Sequence, residues 1–212
     1  MELYFRPLAC SLATRIALYE AGTDAVFVQF DRASGKTSRG EDFASINPLR
    51  QVPVLRTEEG ELLTENIAVL PYVADHFPEA RLAPVAGPAR YRMHSWLGFI
   101  TSELHKALFV PLLGATVPAE VKAYAAAQAE PRLAKVEAHL EGRDFMLDDF
   151  SIVDAYLFTV LNWARISGVI DLSVWPNLIA FHDRCKARPA VARALAEEFA
   201  LYQEEQARKK VA

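Results

Sequence analysis

Cys10 stands immediately before Ser11 to Ala21, a run that reads as a helix, and a thiol becomes chemically useful in that place. Free N–H groups and the dipole at a helix N-terminus favour the thiolate, which attacks electrophiles or exchanges with disulfides. The plain alternative is a small buried apolar residue, as most free cysteines are. Ser11 could donate a hydrogen bond to a nearby sulfur, although its position better suits an N-cap. His105-Lys106 lies inside a long helix beside Leu104, Ala107 and Leu108, where a histidine taken alone is an ordinary hydrogen-bonded residue. Cys185, on a later helix, reads as core.

A second constellation runs from Asn47 to Ile67, NPLRQVPVLRTEEGELLTENI. Gln51-Val52-Pro53-Val54-Leu55 reads as a short strand entered through a proline, which cannot donate to the ladder there and can be cis. Glu58-Glu59-Gly60 supplies a turn and Glu61-Leu62-Leu63 returns as a second strand. Thr64-Glu65-Asn66 then opens a helix whose N–H groups suit a carboxylate; Glu65 by itself is a dipole-favourable first-turn acid. A backbone edge beside a helix N-terminus is a peptide-binding surface.

Other chemistries find no support. Gly35-Lys36-Thr37 ends like a phosphate loop, but Phe30 occupies the place of its first glycine. His76, His94, His105, His139 and His182 match no zinc spacing, so no metal is expected, and no Gly-x-Ser-x-Gly elbow occurs. A net charge of −4 gives no reason to expect nucleic acid, and Lys209-Lys210 reads as a solvated tail. No run of 18 apolar residues implies a membrane span, MELYFRP lacks a signal-peptide core, and two cysteines make no disulfide framework; a cytosolic location is expected.

The elements that must position these residues fall into two regions. With 52% hydrophobic residues in 212, the chain can bury a real core. Glu2 to Phe5 and Ala25 to Phe30 read as strands flanking the helix at Ser11, a β-α-β unit with parallel strands and a right-handed crossover. Asp31 to Glu41 reads as an exposed loop before the hairpin and its helix. Residues 79–87 read as a linker, and everything from 88 to 212 is helical in pattern. The expected helices run from about Ala89 to Leu113, Ala119 to Leu140, from Ser151 through Leu161, Trp175-Pro176 to Ala187, and Pro189 to Tyr202. Ser151-Ile152-Val153-Asp154 has the form of a capping box. Pro71 and Pro111 fall inside helices, where a missing N–H and a bulky ring should kink the helix or cost about 3 kcal/mol.

Taken together, these features resemble a cytosolic glutathione transferase, closest to the bacterial beta class. The resemblance rests on LYFRPLACSLATRIALYEAG, INPLRQVPVL, LLTENIAVLPYVAD, ELHKALFVPLL, DFSIVDAYLFTVLNWA and WPNLIAFHDRCKARPAV, in order over nearly the whole chain. It implies an α/β thioredoxin-like N-terminal domain over residues 1–78, β-α-β-α-β-β-α with a mixed four-stranded sheet, then an all-α helical bundle over 88–212. It implies glutathione as cosubstrate, with Val52 before a cis Pro53 pairing with its cysteinyl unit beside Gln51. Glu65 would hold the γ-glutamyl ammonium and Asn66 its carboxylate. Cys10 matches a beta-class cysteine that lies against the glutathione sulfur, with Ser11 next to it. His105 and Lys106 match residues that face the site from the helical domain. Glu103 is similar to one that reaches the partner's site in a homodimer. Phe109, Val110 and Trp163 would line the second-substrate pocket. Arg50, where the beta class commonly has glycine, and Arg32 depart from the pattern near the glycine end of the tripeptide, and Phe5 lacks the hydroxyl some relatives carry. The expected reaction joins the glutathione thiol to apolar electrophiles. Thiol–disulfide exchange or peroxide reduction through Cys10 is the rival enzyme reading, and a non-catalytic binder of apolar ligands or a partner protein is the third.

Overall fold

The computed structural model describes residues 1–211, excluding the side chains of 209–211, so the reading of the Lys209 and Lys210 side chains lies outside what is described. The chain divides into two compact units, residues 1–82 with 189 onward, and residues 83–188.

The first unit is built on strands β1 (Glu2–Phe5), β2 (Val26–Asp31), β3 (Lys36–Thr37), β4 (Val54–Arg56) and β5 (Leu62–Thr64), in the spatial order β3-β2-β1-β4-β5. As expected, β1 and β2 are parallel, joined through helix α1 (Ser11–Glu20); the other pairs are antiparallel, so the sheet is mixed. It has five strands rather than four. The extra strand lies in the segment read as a loop: Lys36 and Thr37 pair with Asp31 and Phe30, and Thr37 is buried. A two-residue strand is too short to show a period-2 pattern. The helix expected between β2 and the hairpin is only a 3-10 turn, Phe43–Ser45, but its Phe43 is fully buried. Phe43 stacks on Phe30 at 4.2 Å within a core that includes Tyr4, Val28 and Val54.

Helix α2 (Asn66–His76) follows β5 and runs through the buried Pro71. Pro71 cannot donate to the Ile67 carbonyl, yet burying it with Val69, Leu70 and Val73 outweighs that loss. The last helix, α9 (Pro189–Val211), runs well beyond Tyr202 and packs along α1. Arg15 joins them, lying 4.2 Å over the Phe27 ring while it pairs with Glu197 and Glu198.

The second unit contains α3 (Gly87–Phe99), a π-helical stretch (Ile100–Phe109), α4 (Val110–Leu113), α5 (Ala119–Ala127), α6 (Ala129–His139), α7 (Ile152–Ser167) and α8 (Pro176–Lys186). The helix expected to be continuous to Leu113 widens at residue 100. At the end of this stretch the Val110 N–H reaches His105 O, one residue further back than in an α-helix, just before Pro111 breaks the ladder. The single helix expected over 119–140 is two, separated at Gln128. Pro131 has no N–H for the Ala127 carbonyl, so the first helix stops and Pro131 falls in the first turn of the next. The capping box at Ser151 is present as expected.

Candidate functional site

In the first unit three chain segments converge on Cys10. The loop before α1 carries it, and its thiol donates to the Val52 carbonyl at 2.9 Å. Val52 precedes Pro53 through a cis peptide bond, as expected. Asn66, first residue of α2, donates from Nδ2 to the Cys10 carbonyl at 2.9 Å while its Oδ1 accepts from Thr14 Oγ1 at 3.0 Å. Asn66 is buried, so its side-chain amide ties α2 to α1, while the N–H groups of a helix's first turn stay unused by the helix itself. The N-cap of α1 is Cys10, not Ser11; neither Cys10 nor Glu65, which precedes α2, makes a side-chain cap. Ser11 is fully buried, accepting from Arg6 N at 3.2 Å and donating to Arg6 O at 3.3 Å, so its hydroxyl fastens the turn after β1.

The backbone around this point is strained. Leu8, Arg50 and Glu65 all have positive φ, at 57°, 51° and 64°. Non-glycine residues adopt such angles at a cost of about 1–3 kcal/mol each, and they cluster where function over-determines the backbone. Glu65, with ψ 124°, lies exposed at the start of α2, and Gln51 is exposed too, its carbonyl accepting from Asn47 Nδ2 at 2.9 Å. The left-handed angle at Arg50 is the physical reason a glycine suits that place. Its guanidinium reaches Asp42 at 3.7 Å and lies beside Gly35.

Glu198 holds the Cys10 loop from behind. Its Oε2 accepts the Leu8 N–H at 2.7 Å, and Arg15 is 3.7 Å from its other oxygen. Burial pushes this carboxyl up to about 8, against the pull of Arg15 and the Leu8 N–H. Thr14 and Glu198 were absent from the sequence-derived set. Thr14 gives no local signal. Glu198 does give one, because it continues the buried stripe of Val191 and Ala194 on α9, where an acid is out of place.

In the second unit His105 sits on the π-helical stretch with Tyr156 and Trp163 of α7 around it. Its Nδ1 is 2.7 Å from the Tyr156 hydroxyl, and its ring meets the Trp163 edge at 4.9 Å. Burial, with a smaller contribution from the Lys106 charge, pushes the imidazole down to about 4, so it is neutral at pH 7. Phe109 is buried against Trp163 at 5.7 Å; Val110 and Lys106 are exposed. Glu103 is held within its own chain by Arg132, at 2.8 and 3.1 Å. Tyr156 was also missed, though a tyrosine in so apolar a helix has to find a partner for its hydroxyl. No group of three or more His, Cys, Asp or Glu able to hold a metal occurs among the described residues. Nor is any helix among them long and apolar enough to cross a membrane.

Comparison with known proteins finds family matches over most of the chain. Residues 2–75 match the model for the N-terminal domain of glutathione S-transferases and residues 99–189 the model for the C-terminal domain. The chain is 40% identical over 200 residues to glutathione S-transferase GstA of Escherichia coli O157:H7, covering 93% of this chain and 98% of that protein. It is similar to a sphingomonad glutathione S-transferase solved in complex with glutathione (TM-score 0.88, 45% identity, 93% and 98% covered). It is likewise similar to the bacterial beta class enzyme of Sphingomonas chungbukensis (TM-score 0.88, 42% identity, 93% and 98% covered).

Proposed function

The chain belongs to the glutathione S-transferase family, with bacterial beta-class members among its relatives, and is a glutathione transferase; from that premise we propose how its residues divide the work. Residues 1–78 bind glutathione, 79–87 link, and 88–212 form the helical domain, with α9 returning to pack on α1. Backbone groups at Val52, between Gln51 and Pro53, pair with the cysteinyl unit. Glu65 takes the γ-glutamyl ammonium, and backbone N–H groups at Asn66 take the carboxylate, which a helix N-terminus favours. Asn66's side chain is engaged elsewhere, so its contribution runs through the backbone. Ser11 supports the Cys10 loop through Arg6 rather than meeting sulfur. His105 and Lys106 act from the helical domain, Phe109 and Trp163 supply apolar wall, and Glu103 is the candidate for contact across a homodimer. The chemistry runs on sulfur and calls for no metal; the second substrate is a small electrophile or a disulfide, and the location is cytoplasmic.

The observation that carries this reading is the Cys10 thiol 2.9 Å from the Val52 carbonyl. A thiol bound along Val52 has a protein sulfur for a neighbour, which also favours a second reading, disulfide or peroxide reduction. In the exchange step the glutathione thiolate, or Cys10 as thiolate, attacks one sulfur of a disulfide substrate. The new S–S bond forms as the old one breaks, and the displaced thiolate takes up a proton. Retention on immobilised glutathione tests binding, and folded protein that passes straight through refutes it. Assaying aryl halides, disulfides and peroxides with wild type and Cys10→Ala separates the reactions: disulfide reduction undiminished in the variant rules out exchange through Cys10.

A further inference from the structure

We infer that Tyr156 is a positioning residue, fixing the His105 tautomer so that the imidazole offers an Nε2–H donor rather than a proton-accepting nitrogen. The inference rests on the proposed place of His105 in the reaction and deepens it.

Neutral imidazole has one N–H and one lone pair, and the partner of one nitrogen decides what the other presents. Here the partner is a phenol, 2.7 Å from Nδ1. A phenolic O–H is a good donor, its oxygen a poor acceptor because its lone pair is shared with the ring, and an imidazole lone pair is a strong acceptor. The favoured arrangement is therefore Tyr156 O–H donating to Nδ1, which puts the single ring proton on Nε2. Tyr156 is 1% exposed on α7, and Trp163 packs against the half-buried His105 ring, which keeps Nδ1 beside the phenol. The low basicity that burial gives His105 agrees, because an imidazolium would need Tyr156 to accept and leave no lone pair to bond. A neutral N–H donor stabilises negative charge on sulfur or on a developing oxyanion without taking a proton, which is electrostatic assistance rather than general-base catalysis.

The test is the nitrogen-15 spectrum of the histidine rings in the full chain at pH 7. His105 should show a protonated Nε2 and a hydrogen-bonded, unprotonated Nδ1; a protonated Nδ1 in wild type overturns the inference. In Tyr156→Phe the single-tautomer pattern should be lost, and kcat should fall on the order of tenfold, as for one hydrogen bond lost in the transition state, with KM for glutathione held. An unchanged kcat in that variant overturns the positioning role. Should Tyr156→Phe fail to fold, the wild-type spectrum alone still decides the tautomer. His105→Ala isolates the underlying reading: full activity there removes His105 from the reaction, whatever its tautomer.

Discussion

Replacing Asp154 by alanine should unfold this protein more readily than any other single change at a helix end. The carboxylate is fully buried and saturated. Oδ1 accepts the Met146 N–H at 2.7 Å, and Oδ2 accepts both the N–H and the hydroxyl of Ser151 at 2.8 Å. Truncation leaves two buried backbone donors without an acceptor and a hydroxyl without its partner. Each orphaned group costs about 1–3 kcal/mol, and local relaxation recovers part, so a loss of about 3–5 kcal/mol is expected. Ser151→Ala removes only the hydroxyl that accepts the Val153 N–H and should cost about 1 kcal/mol. Asp154→Asn should fall between, since its NH2 must face a donor. Burial also lifts the Asp154 carboxyl to about 6 from an ordinary 3.8. A raised folded value means its contribution is full below 3.8 and is lost as pH rises through 6. The deficit of Asp154→Ala should therefore shrink across that window and level off above it. Urea unfolding followed by helical circular dichroism at fixed protein concentration measures all three variants. At pH below about 4, where that contribution is full, a cost below about 1 kcal/mol for Asp154→Ala, or one exceeded by Ser151→Ala, would refute the account of a fully closed box.

Glu198 makes a second pH-dependent contribution. Its folded value of about 8 lies above the ordinary 4.5, so its stabilisation is complete in acid and disappears as pH rises towards and through 8. Glu198→Gln keeps an oxygen for the Leu8 N–H and should gain on wild type over that range, visible as Tm curves that separate with rising pH. Arg50→Gly relieves a left-handed angle worth about 1–2 kcal/mol, loses about 0.5–1 to glycine's chain entropy, and should be stabilising by roughly 0.5–1 kcal/mol. Arg50→Ala keeps the angle and should gain nothing, so equal denaturation midpoints for the two variants would dispose of the strain argument. Phe43→Ala empties the place stacked on Phe30 and should cost about 3–5 kcal/mol in chemical denaturation, an unusually large effect for a residue on a three-residue turn.

Much of the first unit was legible because its elements are long enough, or chemically distinctive enough, to announce themselves. β1, α1, β2 and β5 lie within a residue or two of where pattern placed them, whereas β4 starts at Val54, three residues after the expected Gln51. What failed was short or depended on a partner far along the chain. β3 has two residues, and nothing local marks Phe43 as core until Phe30 is found stacked on it. The break at Gln128 could have been read from Pro131, whose missing N–H is a local fact; the widened turns before Pro111 could not, since a proline does not say how a helix will accommodate it.

The residue types that do the chemistry and the local devices that hold them are written in the chain's order: Cys10 before a helix, Pro53 entering a strand, the box from Ser151 to Asp154. Each is set by groups within a few residues of one another, where the chain's own geometry fixes the contact. What those groups touch depends on the folded chain. Folding gives the Cys10 thiol to the Val52 carbonyl, 42 residues away, and the Asn66 amide to Cys10 and Thr14. It also brings Glu198 behind the Cys10 loop from 190 residues beyond Leu8. Such partners carry no local pattern, because a hydrogen bond depends on distance in space and burial, both of which exist only once the chain has folded.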